Sequence, residues 1–387
     1  MGSRRGTTRD REAALRGLGI LVFIGAVLLA IGIHELGHFA TAKWFKIKVD
    51  KFFIGFGPKL WSTRRGETEY GVAAFPIGGY VKIAGMNPLE EVSPDDQPRT
   101  FKAKPAWQRA IVLVAGSVTH FIVAIIILMF IFTIVGETDI DSPTLEIAEV
   151  GSIESDEPAP AEVAGIKAGD RVIAIAGQPV DEWSDVQQAI RTRPDQPIEI
   201  VVDRDGQRLT LRATLGRSPR DPANGFLGVS PEFAVVKRSA GEAAVEATKD
   251  VGVGIKDSFL AFGKIFTPST LSRLFQVATG QEERRPDDPA SIVGIGRSAG
   301  DLAGEGDWAT LFFVIAGFNV FIGMANLLPL PPLDGGHLAV LAFEKVTRRE
   351  VDMRRLIPIT AMVLTAFGLL FVLVLSADLF NPLKLPG

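Results

Sequence analysis

Hydrophobic positions along this chain fall into four long blocks separated by stretches of mixed polarity. Residues 17–42 hold one formally charged side chain, Glu35, while residues 110–135, 308–333 and 356–377 hold none. Each block reaches the roughly 20 apolar residues that crossing a hydrocarbon core requires. The pattern predicts four transmembrane helices. Between the first two blocks, residues 46–86 alternate apolar and polar positions with Gly and Pro punctuation, and 61–68 looks like a hairpin tip. That reads as a small β-sheet lying against or within the bilayer surface.

After the second block the pattern changes to that of a water-soluble unit. Residues 137–160 are acidic and Pro-containing, which predicts a linker. From 161 to 217 a turn at 164–170, a strand at 171–176, a turn at 177–180, a helix at 184–193 and a hairpin over 198–215 follow in order. This order, with Ala164-Gly165-Ile166-Lys167-Ala168-Gly169-Asp170 and Gly177-Gln178-Pro179-Val180, resembles a PDZ domain. Such domains bind peptide ends by adding a strand to a sheet edge; a copy that only blocks access is the alternative. Residues 218–307 are expected to be an extracytoplasmic linker. Within it 240–279 has helical spacing, as an amphipathic helix on the outer leaflet or one packed on the spans. Residues 281–306 read as a polar, Gly-rich loop.

The resulting fold class is an α-helical polytopic membrane protein with a membrane-associated β-sheet after its first helix and one inserted extracytoplasmic PDZ domain. Its segments are a polar tail (1–16), the first transmembrane helix (17–45), the sheet and loop (46–105) and the second helix (106–136). The linker, PDZ domain and second linker follow, then the third helix (308–342), a short loop (343–355) and the fourth helix (356–380).

Charge orients this arrangement. The chain has 387 residues and a formal net charge of -4, but residues 43–109 hold twelve Lys/Arg against seven Asp/Glu, and 137–307 hold eighteen against thirty. The connector bearing Lys345, Arg348, Arg349, Arg354 and Arg355 is basic again. Basic loops stay in the cytoplasm, so 43–109 and 343–355 read as inside and the acidic segment as outside. The Arg-rich N-terminal tail disagrees and is outvoted by the two internal loops. A basic tail, an apolar run and Ala40-Thr41-Ala42 also mimic a secretory signal, but the apolar run is too long for one. The chain contains no cysteine, which excludes disulfides, thiolate metal sites and a cysteine nucleophile.

The chemistry is concentrated in His34-Glu35-Leu36-Gly37-His38, near the end of the first block. On a helix, positions i and i+4 share a face, so both imidazoles can reach one metal ion, and Glu35 lies beside that face, placed to take a proton from water. Ionisable groups within an apolar helix are expensive and normally face a polar cavity. Catalytic zinc takes three protein ligands and keeps one position open. Asp334, after the third block in Asn326-Leu327-Leu328-Pro329-Leu330-Pro331-Pro332-Leu333-Asp334-Gly335-Gly336-His337, is the outstanding third ligand, because the prolines break the helix and the glycine pair permits a tight turn.

Together these residues, Phe56-Gly57-Pro58 and the PDZ-like segment resemble the site-2 protease family of zinc intramembrane metalloproteases, specifically bacterial RseP-like members with a single PDZ domain. The resemblance runs from residue 18 to the end of the chain. It implies one Zn2+ per chain held by His34, His38 and Asp334, with Glu35 as catalytic base. It further implies that Asn326 holds substrate or oxyanion, and that the sheet bearing Gly57 and Pro58 pairs with an unwound substrate helix. The implied setting is a bacterial cytoplasmic membrane. The implied partners are a single-pass membrane protein such as an anti-sigma factor, the lipid bilayer and peptide ends at the PDZ domain, with no nucleic acid. In one place the chain departs from the family: Gly116-Ser117-Val118-Thr119-His120 puts a histidine where an amide is usual. His120 is then a partner of the ligands, a metal ligand itself, or a hydrogen-bonding link to a neighbouring helix. Asn319 has no assigned role, and His337 reads as a helix-start residue. A membrane metal transporter and a non-catalytic PDZ-bearing scaffold are the competing classes.

Overall fold

A computed structural model describes residues 3–87, 91–151, 158–219, 221–285 and 288–382. It divides into two compact units, Met1–Thr133 together with Ser239–Gly387, and the inserted Ile134–Arg238. Among the described residues, four helices are long and apolar enough to cross a membrane: Asp10–Trp44, Ala106–Val135, Trp308–Asn326 and Arg354–Phe380. Their surfaces carry bare apolar side chains such as Leu29, Ile126, Met362 and Leu369, as expected where the solvent is lipid.

Helix α1 (Ser3–Trp44) starts well before the apolar block. The polar tail expected over 1–16 is therefore helical from Ser3, because no Pro interrupts a helix that the apolar turns already nucleate. Strands β1 (Val49–Arg65) and β2 (Thr68–Ile83) form a hairpin turning at Gly66-Glu67. Each is folded on itself. Phe52 lies opposite both Val81 and Tyr70, and Ile54 opposite both Gly79 and Val72, while Trp61–Arg65 lie opposite Val72–Thr68. Two long strands thus make four short ones, with the 79–83 segment at one edge against α1. Helix α2 (Ala106–Phe130) follows and runs on through a π-helical turn, Ile131–Val135.

The inserted unit contains strands β3 (Glu137–Val150), β4 (Arg171–Ile175), β5 (Gln178–Pro179), β6 (Pro197–Arg204), β7 (Gln207–Thr214), β8 (Gly216–Arg217), β9 (Gly225–Phe226) and β10 (Val229–Val236), with helices α3 (Pro160–Val163) and α4 (Trp183–Arg191). Its main sheet runs β10-β3-β4-β6-β7, and β5 pairs with β4. Ile147, Ile166, Val172, Trp183, Ile200, Val202, Leu215 and Leu227 fill its core. Buried Asp170 receives Arg204 Nε at 2.7 Å and the Lys167 N–H at 2.9 Å. Burial would raise its pKa, but these donors outweigh that and hold the carboxyl below its usual range. The strand, turn, helix and hairpin expected over 171–215 are present in that order, within a unit of wider bounds. The linker expected at 137–160 begins instead with a strand, and Val229–Val236, expected to lie in the second linker, pair with that strand at the edge of the sheet. Only Ile147 of β3 is buried, so the strand shows no clear alternation. Its partner β10 lies some eighty residues on, where a local pattern cannot announce it. Residues 152–157 of that linker lie outside the described residues.

The chain then returns to the first unit with α5 (Ala240–Ile265), α6 (Pro268–Ala278), α7 (Ile292–Glu305), α8 (Trp308–Asn326), α9 (Asp334–Thr347) and α10 (Ile357–Phe380). Of the two alternatives for 240–279, packing on the spans is the one realised: Ala243, Ala247 and Val251 bury against Ala124, Leu128 and Val320. The loop expected at 281–306 is replaced over much of its length by α7. Its glycines, which depress helix propensity, let it lie directly on α1: a Cβ on Gly300 would stand 2.9 Å from Ile20 Cγ1 and 3.1 Å from the Arg16 carbonyl oxygen. The third transmembrane segment expected at 308–342 is broken between α8 and α9, where the Pro-rich run supplies turns instead of helix. At the far end of α10, buried Asp378 pairs with Arg284 and accepts the Ser291 N–H at 2.6 Å, tying α10 to the start of α7.

Candidate metal centre

His34 and His38 sit one turn apart on α1, and Asp334 opens α9 from a segment nearly three hundred residues later. The folded first unit brings them together. His38 Nε2 is 3.1 Å from His34 Nε2 and 3.2 Å from Asp334 Oδ2, and His34 Nε2 is 3.4 Å from the same oxygen. Tetrahedral ligands about 2.05 Å from a zinc ion stand roughly 3.3 Å apart, so these spacings match an ion-sized gap. Among the described residues these three form the one His/Cys/Asp/Glu group able to hold a metal.

The surroundings leave donor atoms facing that gap. His38 Nδ1 lies 2.7 Å from the Val112 carbonyl oxygen of α2. That acceptor requires the proton on Nδ1 and leaves a lone pair on Nε2, as a ligating imidazole needs. Asp334 Oδ2 is buried without a hydrogen-bond donor, and a lone pair so placed is costly unless a cation takes it. Gly116 of α2 makes room for the rings: a Cβ there would fall 2.5 Å from His34 Cε1 and from His38 Nε2. The donor set of two imidazoles and one carboxylate suits zinc, with a further position left for water.

Glu35 projects beside the trio and against the sheet. A Cβ on Gly79 would meet Glu35 Cγ at 2.8 Å. The edge segment of β2 therefore borders the carboxylate. His120 lies beside His34, ring centroids 5.1 Å apart, but its Nδ1 is 3.0 Å from Asn319 Oδ1 on α8. Asn319 in turn donates to the Ile315 carbonyl oxygen at 2.9 Å. Of the roles open to His120, a hydrogen-bonded link between α2 and α8 is the one the geometry displays. Asn326 is the last residue of α8, half-buried, eight positions before Asp334. Gly57 and Pro58 lie exposed at the fold in β1, where Phe56 faces Phe75; they are not among the residues converging on the gap. His337 lies in the first turn of α9.

Sequence reasoning missed the Val112 carbonyl, the spacing role of Gly116 and the partnership of Asn319 with His120. A backbone acceptor carries no side-chain signal. Gly116 stood in view inside an apolar helix, where a glycine signals close approach of another element.

Comparison with known proteins gives a consistent result. A family model described as peptidase family M50 matches residues 22–374. The zinc metalloprotease Rip1 of Mycobacterium tuberculosis is 34% identical over 404 residues, covering 95% of this chain and 98% of its own. The Rip1 of Mycolicibacterium smegmatis is 33% identical over 410 residues, covering 95% and 99%. A putative zinc metalloprotease of Clostridium acetobutylicum is 30% identical over 367 residues, covering 94% and 98%. A solution structure from Geobacillus thermodenitrificans aligns all but 1% of its length with 24% of this chain, at 22% identity and a TM-score of 0.19.

Proposed function

The chain belongs to peptidase family M50 and is a multi-pass membrane zinc metalloprotease, and on that premise we propose that it cleaves single-pass membrane proteins such as an anti-sigma factor within their transmembrane segments. The transporter and scaffold readings fall with the family assignment. The observation that carries the proposal is the convergence of Asp334, at the start of α9, with His34 and His38 beside Glu35 on a helix long and apolar enough to span a membrane.

In this reading His34 and His38 through Nε2, and Asp334 through Oδ2, hold one zinc ion. When bound, that ion polarises a peptide carbonyl and makes nearby water easier to deprotonate. Glu35 accepts the proton released as water attacks the scissile carbonyl, and returns it to the leaving amine. A helical substrate hides its carbonyls in internal hydrogen bonds and must unwind before attack. The edge of β2 at 79–83 offers backbone groups with which an unwound segment pairs, next to Glu35. Asn326 steadies the developing oxyanion or the substrate backbone, and the bend at Gly57 and Pro58 shapes the sheet that receives it.

The basic segments 43–109 and 343–355 favour the cytoplasmic side of a bacterial cell membrane, with Ile134–Arg238 outside. In that unit a groove of about 420 Å³ between α4 and residues 225–231, which run from β9 into β10, is lined by Trp183, Ile190, Phe226 and Val229 and suits an extended peptide end.

The test is cleavage of a single-pass reporter in proteoliposomes by wild type and Glu35→Gln, with zinc counted in both. Loss of cleavage at unchanged zinc supports the assignment, and a Glu35→Gln enzyme cutting at the wild-type rate overturns it.

A further inference from the structure

The first unit has a second polar site, at the end of the spans where α2 begins and α9 ends. A cleft of about 500 Å³ lies between them, walled by Lys102 and Arg109 on one side and by Lys345, Arg348 and Arg349 on the other. Its carboxylates are Glu344 and Glu350, so cations outnumber anions by five to two. The metal centre uses none of these residues.

Three observations say what this cleft is suited to hold. First, Arg109 is only partly neutralised: its Nη1 stands 3.7 Å from Glu344 Oε2, while its Nε is buried without a partner. A buried donor left unpaired is costly, and an anionic oxygen would take it. Second, Ala106 opens α2 with no side-chain cap, so the positive end of a long helix dipole borders the cleft. Third, the depth is that of lipid headgroups. Trp107, next to Ala106, is 58% exposed and packs edge-on to Phe45, which stacks on Trp44, itself 78% exposed. Exposed tryptophans at the ends of spanning helices sit at the membrane–water interface, so the cleft opens at that level.

We propose that this cleft binds the phosphate headgroup of an anionic phospholipid. Arg109 and the arginines of the α9 end clamp its oxygens, with Lys345 and Lys102 adding charge, and the acyl chains lie along the apolar face of α2 beside Trp107. Basic pockets between transmembrane helices at the cytoplasmic face are suited to such headgroups. Assignment to the cytoplasmic leaflet rests on the orientation proposed above; the binding itself does not.

The experiment uses the full chain in detergent, titrated with phosphatidylglycerol or phosphatidylcholine and read by native mass spectrometry, which requires no proteolysis. Wild type should bind phosphatidylglycerol at least about tenfold more tightly. Each cation near such a surface contributes about a fivefold factor, so Lys345→Gln/Arg348→Gln/Arg349→Gln should weaken that binding roughly 100-fold. If that variant misfolds, Glu344→Gln serves: removing a carboxylate should tighten binding about fivefold. Equal binding of the two lipids, or no response to either variant, overturns the proposal. Displacement of phosphatidylglycerol by millimolar inorganic phosphate also overturns it, since the ligand would then be a soluble phosphate. Loss of catalysis in Glu35→Gln with lipid binding intact separates this site from the metal centre.

Discussion

Gly116 on α2 approaches His34 on α1 so closely that a single added methyl group would stand 2.5 Å from the imidazole Cε1. The two spanning helices are packed to the limit where His34 and His38 sit. Gly116→Ala must therefore push one or both rings out of place, a strain of about 1–3 kcal/mol of the kind overpacking causes. The expected result is a folded protein with less than one zinc per chain and cleavage down by at least about tenfold. Zinc analysis alongside a thermal melt checks it.

In the proposed site Asp334 would supply the charged ligand, and it reaches His34 and His38 only because the chain breaks between α8 and α9. Asp334→Asn removes that charge at nearly constant volume. Zinc should be lost together with activity, unlike the Glu35→Gln case, and added zinc should restore little. Parallel zinc titrations of the two variants distinguish a ligand from a base.

The His120–Asn319 pair joins α2 to α8 at 3.0 Å, both side chains buried. Asn319→Leu leaves His120 without this partner and should cost about 1–3 kcal/mol. Replacing both residues with apolar ones should cost less than the two single changes combined. A double-mutant cycle read by denaturation in detergent measures the coupling; simple additivity would deny it.

In the inserted unit, Asp170 is held ionised by Arg204 and the Lys167 amide, against the pull of burial. Its folded pKa lies below the unfolded value, so its contribution is complete above the ordinary carboxylate pKa of 3.8 and fades as pH falls through the depressed folded value. Asp170→Asn should remove about 3 kcal/mol near neutral pH. Hydrogen exchange on the full chain should show faster exchange at Val172 and Ile200, with the gap between variant and wild type closing in acid. A constant gap down to strongly acid pH would argue against the ion pair.

Much of this molecule was readable before folding. Four apolar blocks announced the spans, because a span is a property of one contiguous segment and lipid demands an internally satisfied backbone. The i, i+4 spacing placed two imidazoles on one helix face for the same local reason. The helix α7 was hidden, since Gly and Ser lower helix propensity and only contact with α1 makes small residues an advantage. Strands β3 and β10 were hidden because each is recognised only against the other.

The amino-acid order alone determined the class of element at each long apolar stretch and the kinds of atoms offered to a metal. Tertiary structure alone decided that Asp334 meets His34 and His38, that Val112 sets which imidazole nitrogen is free, and that His120 turns to Asn319. Local pattern governs what a segment becomes, because its forces act between near neighbours; a site drawn from segments hundreds of residues apart exists only once packing brings them within a few ångströms.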